Sequence, residues 1–111
     1  MIEEYSFGHM VIDGKEFISD VIVYPDGTIN SDWWREDGHF LVAADIQDLL
    51  SLDPKVVVIG TGAYGVMKVD DKLVNSYSNI TFHALPTAKA VDLFNQMSAK
   101  NNVGACFHLT C

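Results

Sequence analysis

The stretch Val56-Val57-Val58-Ile59-Gly60-Thr61-Gly62-Ala63-Tyr64-Gly65 decides how the rest of this chain is read. Its first four residues form a continuous β-branched run bounded by Pro54 and a glycine, the composition of a strand buried on both faces in a parallel or mixed sheet. Helices are then needed to cover both sides of it. The last six residues spell G-x-G-x-x-G, the pattern that dinucleotide-binding folds place between a strand and a helix. Those folds also need a carboxylate about 20 residues further on to hold the ribose hydroxyls. That spacing lands here on Ile80-Thr81-Phe82-His83, and beyond it Asp92 is the only acid. A strand starting near residue 55 also leaves too little chain for a full βαβαβ half. The motif therefore implies no dinucleotide cofactor. It reads as a tight turn closing a buried strand, with backbone N–H groups of Gly60, Thr61 and Gly62 holding a small anion or metabolite as the alternative.

Outward from this strand, the chain alternates β and α signals. On the N-terminal side, residues 5–13 and 16–24 are rich in β-branched and aromatic residues and flank Asp13-Gly14, a type I′ turn dipeptide, so they read as a hairpin. Pro25-Asp26-Gly27 ends its second strand, and residues 30–39 form an irregular loop. From Asp45, read as an N-cap, Ile46, Leu49, Leu50 and Leu52 fall at helical spacing and Pro54 stops the helix. Beyond the glycines, residues 66–69 read as a short strand before a helix capped by Asp70, or else Val66, Val69, Leu73 and Tyr77 make one helical stripe. Residues 80–85 form a strand. Thr87 caps a helix with Ala90, Val91, Phe94 and Met97 on one face, and residues 103–111 end the chain as a strand.

Composition bounds the function. With 111 residues and 49% hydrophobic content, the chain is expected to form one domain, residues 1–111, with a core of its own. Its apolar runs are far shorter than the roughly 18 residues that cross a bilayer, and the N-terminus lacks signal-peptide features; a cytoplasmic protein without membrane association is expected. The net charge of −8 argues against nucleic acid, which requires a clustered basic surface. Twelve of the fifteen acids lie in the first 53 residues, against only Lys15 and Arg35. That acidic half is either a solvated face or a docking face for a basic partner.

No local pattern spells a catalytic or metal site. Cys106 and Cys111, on one extended strand, would lie about 16 Å apart, beyond the roughly 7 Å a disulfide tolerates, and there is no C-x-x-C. Cys106 and His108 share a strand face and form the minimum of a thiol dyad, though core and rim is the simpler reading. His9, His39, His83 and His108 show no metal-ligand spacing, and G-x-S-x-G is absent. Arg35, the only arginine, follows Trp33 and Trp34 and lies among Asp32, Glu36 and Asp37. It is a clamp stacked on indole and paired to carboxylate, or a ligand or partner contact. In extended backbone Trp33 and Trp34 point to different sides, one to the core and one to solvent.

The order of these motifs carries a resemblance over essentially the whole chain. Asp32-Trp33-Trp34-Arg35 with Gly38-His39, then Val58-Ile59-Gly60-Thr61-Gly62, then Thr87 and Ala90 before Phe94-Asn95, and the ending Phe107-His108-Leu109-Thr110-Cys111 resemble a domain-of-unknown-function family. It is the family that includes the adipogenesis-associated domain protein and mitochondrial complex I assembly factor three. The resemblance implies an α/β, single three-layer domain, with a mixed central sheet, helices on one side and an N-terminal β-hairpin layer on the other. It further implies a non-catalytic protein-interaction, assembly or regulatory module with a protein partner, self-association being one form of partnership, and the residues themselves lead to the expectation of no cofactor and no bound metal. The interaction surface would include Trp33, Trp34, Arg35 and His39. The rival is a small-molecule binder or enzyme using the Gly60, Thr61 and Gly62 turn. A mitochondrial targeting segment like the assembly factor's is not expected, and without it a respiratory role is not expected either.

Overall fold

The computed structural model describes residues 1–99 and 102–111. In chain order the strands are β1 (Ile2–Ser6), β2 (His9–Ile12), β3 (Lys15–Phe17), β4 (Val21–Val23), β5 (Ile29–Asn30), β6 (Phe40–Leu41), β7 (Val56–Thr61), β8 (Lys68–Val69), β9 (Thr81–Leu85) and β10 (Val103–His108). The helices are α1 (Gln47–Ser51), α2 (Asp71–Ser76) and α3 (Thr87–Met97), with a 3-10 turn at Ala43–Ile46 before α1. The central sheet has the order β5-β4-β10-β7-β9. In it β7 runs parallel to both neighbours, β4 runs antiparallel to β10, and β5 runs antiparallel to β4. Every residue of β7 and β10 is buried, which is why β7 reads as an unbroken apolar run rather than an alternation.

The expected α/β domain with a mixed central sheet and three layers is what forms. Its layers are less segregated than the resemblance implied, because α3 lies beside the N-terminal strands and not opposite them. On one face, Ile2, Met10 and Ile12 of the β1-β2-β3 meander pack with Val58 and Phe107 of the sheet and Ala90 and Phe94 of α3. On the other, Trp33, Leu49 and Leu73 from the loop, α1 and α2 pack on Val57, Ile59 and Cys106. Topology explains the split. The chain crosses from β7 outward to β9 through α2 and returns from β9 past β7 to β10 through α3. Right-handed crossovers made in opposite directions put their helices on opposite faces.

Several local expectations are corrected. Residues 5–13 are two strands, broken where Gly8 turns at φ +74° and its N–H donates to Leu109 O at 2.8 Å. Asp13 and Gly14 take φ +49° and +80° in the β2-β3 turn, the left-handed pair of a type I′ hairpin. Residues 16–24 also split, since the chain leaves the meander after Phe17 and enters the central sheet as β4. Asp45 caps no α-helix: its carboxylate accepts from Val42 N at 3.0 Å inside the 3-10 turn. Asp70 does cap α2, accepting from Lys72 N at 3.1 Å, after the short strand β8. Pro86 takes the N-cap position of α3, which frees the Thr87 hydroxyl for other partners. The final strand stops at His108, so residues 109–111 lie outside it. No helix among the described residues is long and apolar enough to cross a membrane.

Candidate functional site

The parallel strands β7, β9 and β10 end at one edge of the domain, and two arrangements meet there. The first is the glycine turn. In open α/β sheets a ligand crevice forms where loops leave neighbouring strand ends toward opposite faces, as they do after β7 and β9. Here the chain itself fills that place. Gly62 N donates to Thr87 Oγ1 at 2.9 Å, and the same hydroxyl donates to His108 O at 2.6 Å. Ala63 N donates to Thr110 O at 2.6 Å, Gly65 N to Gly62 O at 3.2 Å and Val66 N to Cys111 O at 3.3 Å. These donors are spent inside the fold, so they are not offered to an anion. The glycines are required by closeness: a Cβ on Gly60 would meet Phe107 Cδ1 at 2.8 Å, and one on Gly62, at φ +107°, would meet Cys111 O at 2.5 Å.

The second arrangement surrounds the end of β10. Asp20 Oδ2 accepts from Arg35 NH1 at 2.8 Å and sits 2.7 Å from His108 Nδ1; Oδ1 accepts from Leu109 N at 2.7 Å. Arg35 NH2 donates to Gly38 O at 3.0 Å, and the guanidinium lies 4.5 Å from the Trp33 ring centroid. Trp33 is fixed in turn by donating Nε1–H to Asp45 O at 2.8 Å. Burial works to raise the Asp20 pKa, but hydrogen bonds from His108, Leu109 and Arg35 outweigh it and hold the carboxyl below its ordinary value. An ionised carboxylate only accepts, so the 2.7 Å contact puts the proton on His108 Nδ1, and Arg35 NH2, 3.2 Å from the same nitrogen, is a neighbour rather than a donor to it. Among the described residues, Nε2 of His108 is buried and has no partner, and neither has Nε of Arg35.

Beside His108 lie two residues that sequence spacing keeps apart. One ring nitrogen of His39, one of His108 and the Sγ of Cys111 all fall within 4.8 Å of one another, with His39 exposed, His108 buried and Cys111 half-buried. Cys111 Sγ is 3.7 Å from His39 Nε2. The loop is held in place by Lys68 N, which donates to His39 O at 2.8 Å, and by His39 N, which donates to Asp37 Oδ1 at 2.9 Å.

Comparison with known proteins agrees with this fold over its whole length. The family of proteins of unknown function DUF498/DUF598 matches residues 2–108. The chain belongs to that family. Among solved structures it is similar to the conserved hypothetical protein PH1505 from Pyrococcus horikoshii OT3, at 30% identity and a TM-score of 0.88, covering 100% of this chain and 99% of that one. The protein MT938 is similar at 29% identity and a TM-score of 0.81, covering 100% and 98%. A Bordetella pertussis protein described as a Mth938-like domain shares the fold at 17% identity and a TM-score of 0.76, covering 97% and 84%. A comparison with curated proteins gives no match.

Within this DUF498/DUF598 domain, the residues singled out from sequence separate into three places. Trp33 and Arg35 are buried at 8% and 9% exposure, so their side chains are not available as a surface. Trp34 is 75% exposed, the other half of the expected split. His39 sits with Cys111 and His108, while Gly60, Thr61 and Gly62 are buried in the plugged turn. Cys106 is not a nucleophile: burial pushes its thiol up to about 12, and it packs in the core with Leu49 and Ile59. Sequence reasoning missed Asp20, Thr87 and the grouping of His39 with Cys111. Asp20 lies 15 residues from Arg35 and 88 from His108, so no spacing rule reaches it. The unusual lone arginine was the one pointer, and its carboxylate partner is Asp20, not the flanking Asp32, Glu36 or Asp37.

Proposed function

We propose that this domain is a non-catalytic protein-interaction or assembly module, of the kind implied by its resemblance to the adipogenesis-associated domain protein and complex I assembly factor three, and that it works in the cytoplasm. The observation that carries the reading is Trp34. Its neighbours Trp33 and Arg35 are anchored in the fold, yet its own indole is three-quarters exposed. A rigidly presented aromatic side chain loses little conformational entropy when a partner covers it, which is the character of an interface anchor. Support comes also from the clefts. A cleft of about 210 Å³ lies between Ile12, Tyr24 and Phe94, and one of about 170 Å³ lies beside Trp33, Trp34 and Asp45. Neither is lined by the glycine turn.

The test is recovery of protein from native lysate on immobilised wild type and Trp34→Ala, with thermal unfolding showing both folded. A species retained by wild type and lost with the variant is expected; equal recoveries would sink the reading. A parallel thermal-shift panel of NAD, inorganic phosphate and small carboxylates is expected to show no stabilisation. A ligand at 100 times its dissociation constant would contribute about 2.7 kcal/mol, so a dose-dependent rise would favour a small-molecule binder.

A further inference from the structure

We propose that His39, His108 and Cys111 form a binding site for a divalent transition-metal ion, zinc foremost, at the end of β10. The inference is independent of the interaction reading. It begins with the lone pair on His108. Because Nδ1–H donates to Asp20, Nε2 is the ring nitrogen that carries the lone pair, and it is buried with no partner among the described residues. A buried acceptor left unmet is costly, and a cation satisfies it. The carboxylate–imidazole pairing that sets this tautomer is also the usual outer support of a metal-bound histidine.

The donors beside it suit the same ion. Two imidazoles and a thiolate are a borderline-soft set that favours zinc and its neighbours over magnesium or calcium. With metal bonds of about 2.0–2.3 Å, tetrahedral ligands stand about 3.3–3.8 Å apart. Cys111 Sγ and His39 Nε2, at 3.7 Å, already meet that spacing. The other separations, all within 4.8 Å, close by rotation of His39 and Cys111, which are not packed in the core, onto a fixed His108. Three protein ligands leave a fourth position toward solvent for water. Binding as thiolate releases the Cys111 proton to solvent, and Arg35 already offsets Asp20, so the cluster holds no surplus cation to repel the metal.

The tag-free full chain, stripped with chelator, is titrated with Co²⁺ and then with Zn²⁺. One Co²⁺ per chain is expected, with a thiolate-to-cobalt charge-transfer band that Zn²⁺ abolishes by displacement. Cys111→Ser should lose the band, and His39→Ala should weaken binding about tenfold or more, with circular dichroism showing both folded. His83→Ala, on β9, should bind as wild type. Absence of stoichiometric binding, binding without the charge-transfer band, or wild-type affinity in both Cys111→Ser and His39→Ala would each overturn the proposal.

Discussion

The glycine turn at residues 60–65 and the cluster around His108 lie side by side at the ends of β7 and β10, and they differ in how their polar groups are met. In the turn, the N–H groups of Gly62, Ala63, Gly65 and Val66 are each paired to the chain's own oxygens. In the cluster, Asp20 is fully engaged while Nε of Arg35 and Nε2 of His108 are buried without partners among the described residues. A recognisable phosphate-binding pattern thus became a structural seal, and residues with no shared motif became the chemically unfinished part of the molecule. Unmet polarity points to function better than motif shape does, because native folds rarely leave buried polar atoms unpaired.

Three experiments would break or sharpen that contrast. The largest effect is expected from Asp20→Ala, which strands the Arg35 guanidinium, 5% exposed, without its counter-charge. Breaking a buried pair from one side costs about 3–5 kcal/mol, read from urea unfolding; a loss under about 1 kcal/mol would mean the cluster does not hold the fold. Next is Gly62→Ala, where left-handed strain and collision with the Cys111 backbone should together cost about 2–4 kcal/mol. Gly27→Ala, at φ +90° with open space around its Cβ, isolates the strain and should cost about 1 kcal/mol; equal losses at both sites would show that the turn is not sealed by contact. The smallest effect is in pH. Asp20 is held below its ordinary 3.8 in the folded chain, so the unfolded chain takes up that proton first as pH falls. Its contribution is present above pH 3.8 and is lost on acidification through the folded value. Wild type should therefore lose stability more steeply than Asp20→Asn in acid unfolding series, and parallel curves would remove Asp20 from the linkage.

Much of the architecture was legible because its signals are local. The β-branched run of β7 gave a buried central strand, Asp13-Gly14 a hairpin turn, Asp70 a helix cap, and the stripe Ala90, Val91 and Phe94 the buried face of α3. Elements whose local signal competed with a tertiary demand were misjudged. Thr87 has the composition of a cap, yet its hydroxyl bridges Gly62 and His108 across the sheet ends. Residues 16–24 look like one strand, yet Asp20 must leave the hairpin to reach Arg35 and the Leu109 amide.

By itself, the sequence determined the class of the domain, the buried β7 strand, the absence of a ribose-binding carboxylate and the division of Trp33 from Trp34, since composition, periodicity and short spacings act within a few residues. Only the tertiary structure decided that the glycine turn is filled by residues 110–111, and that Asp20, Arg35, His39, His108 and Cys111 converge. Those contacts join positions up to 88 residues apart. They depend on β10 being inserted between β4 and β7, a pairing that burial of all three strands selects and no local pattern records.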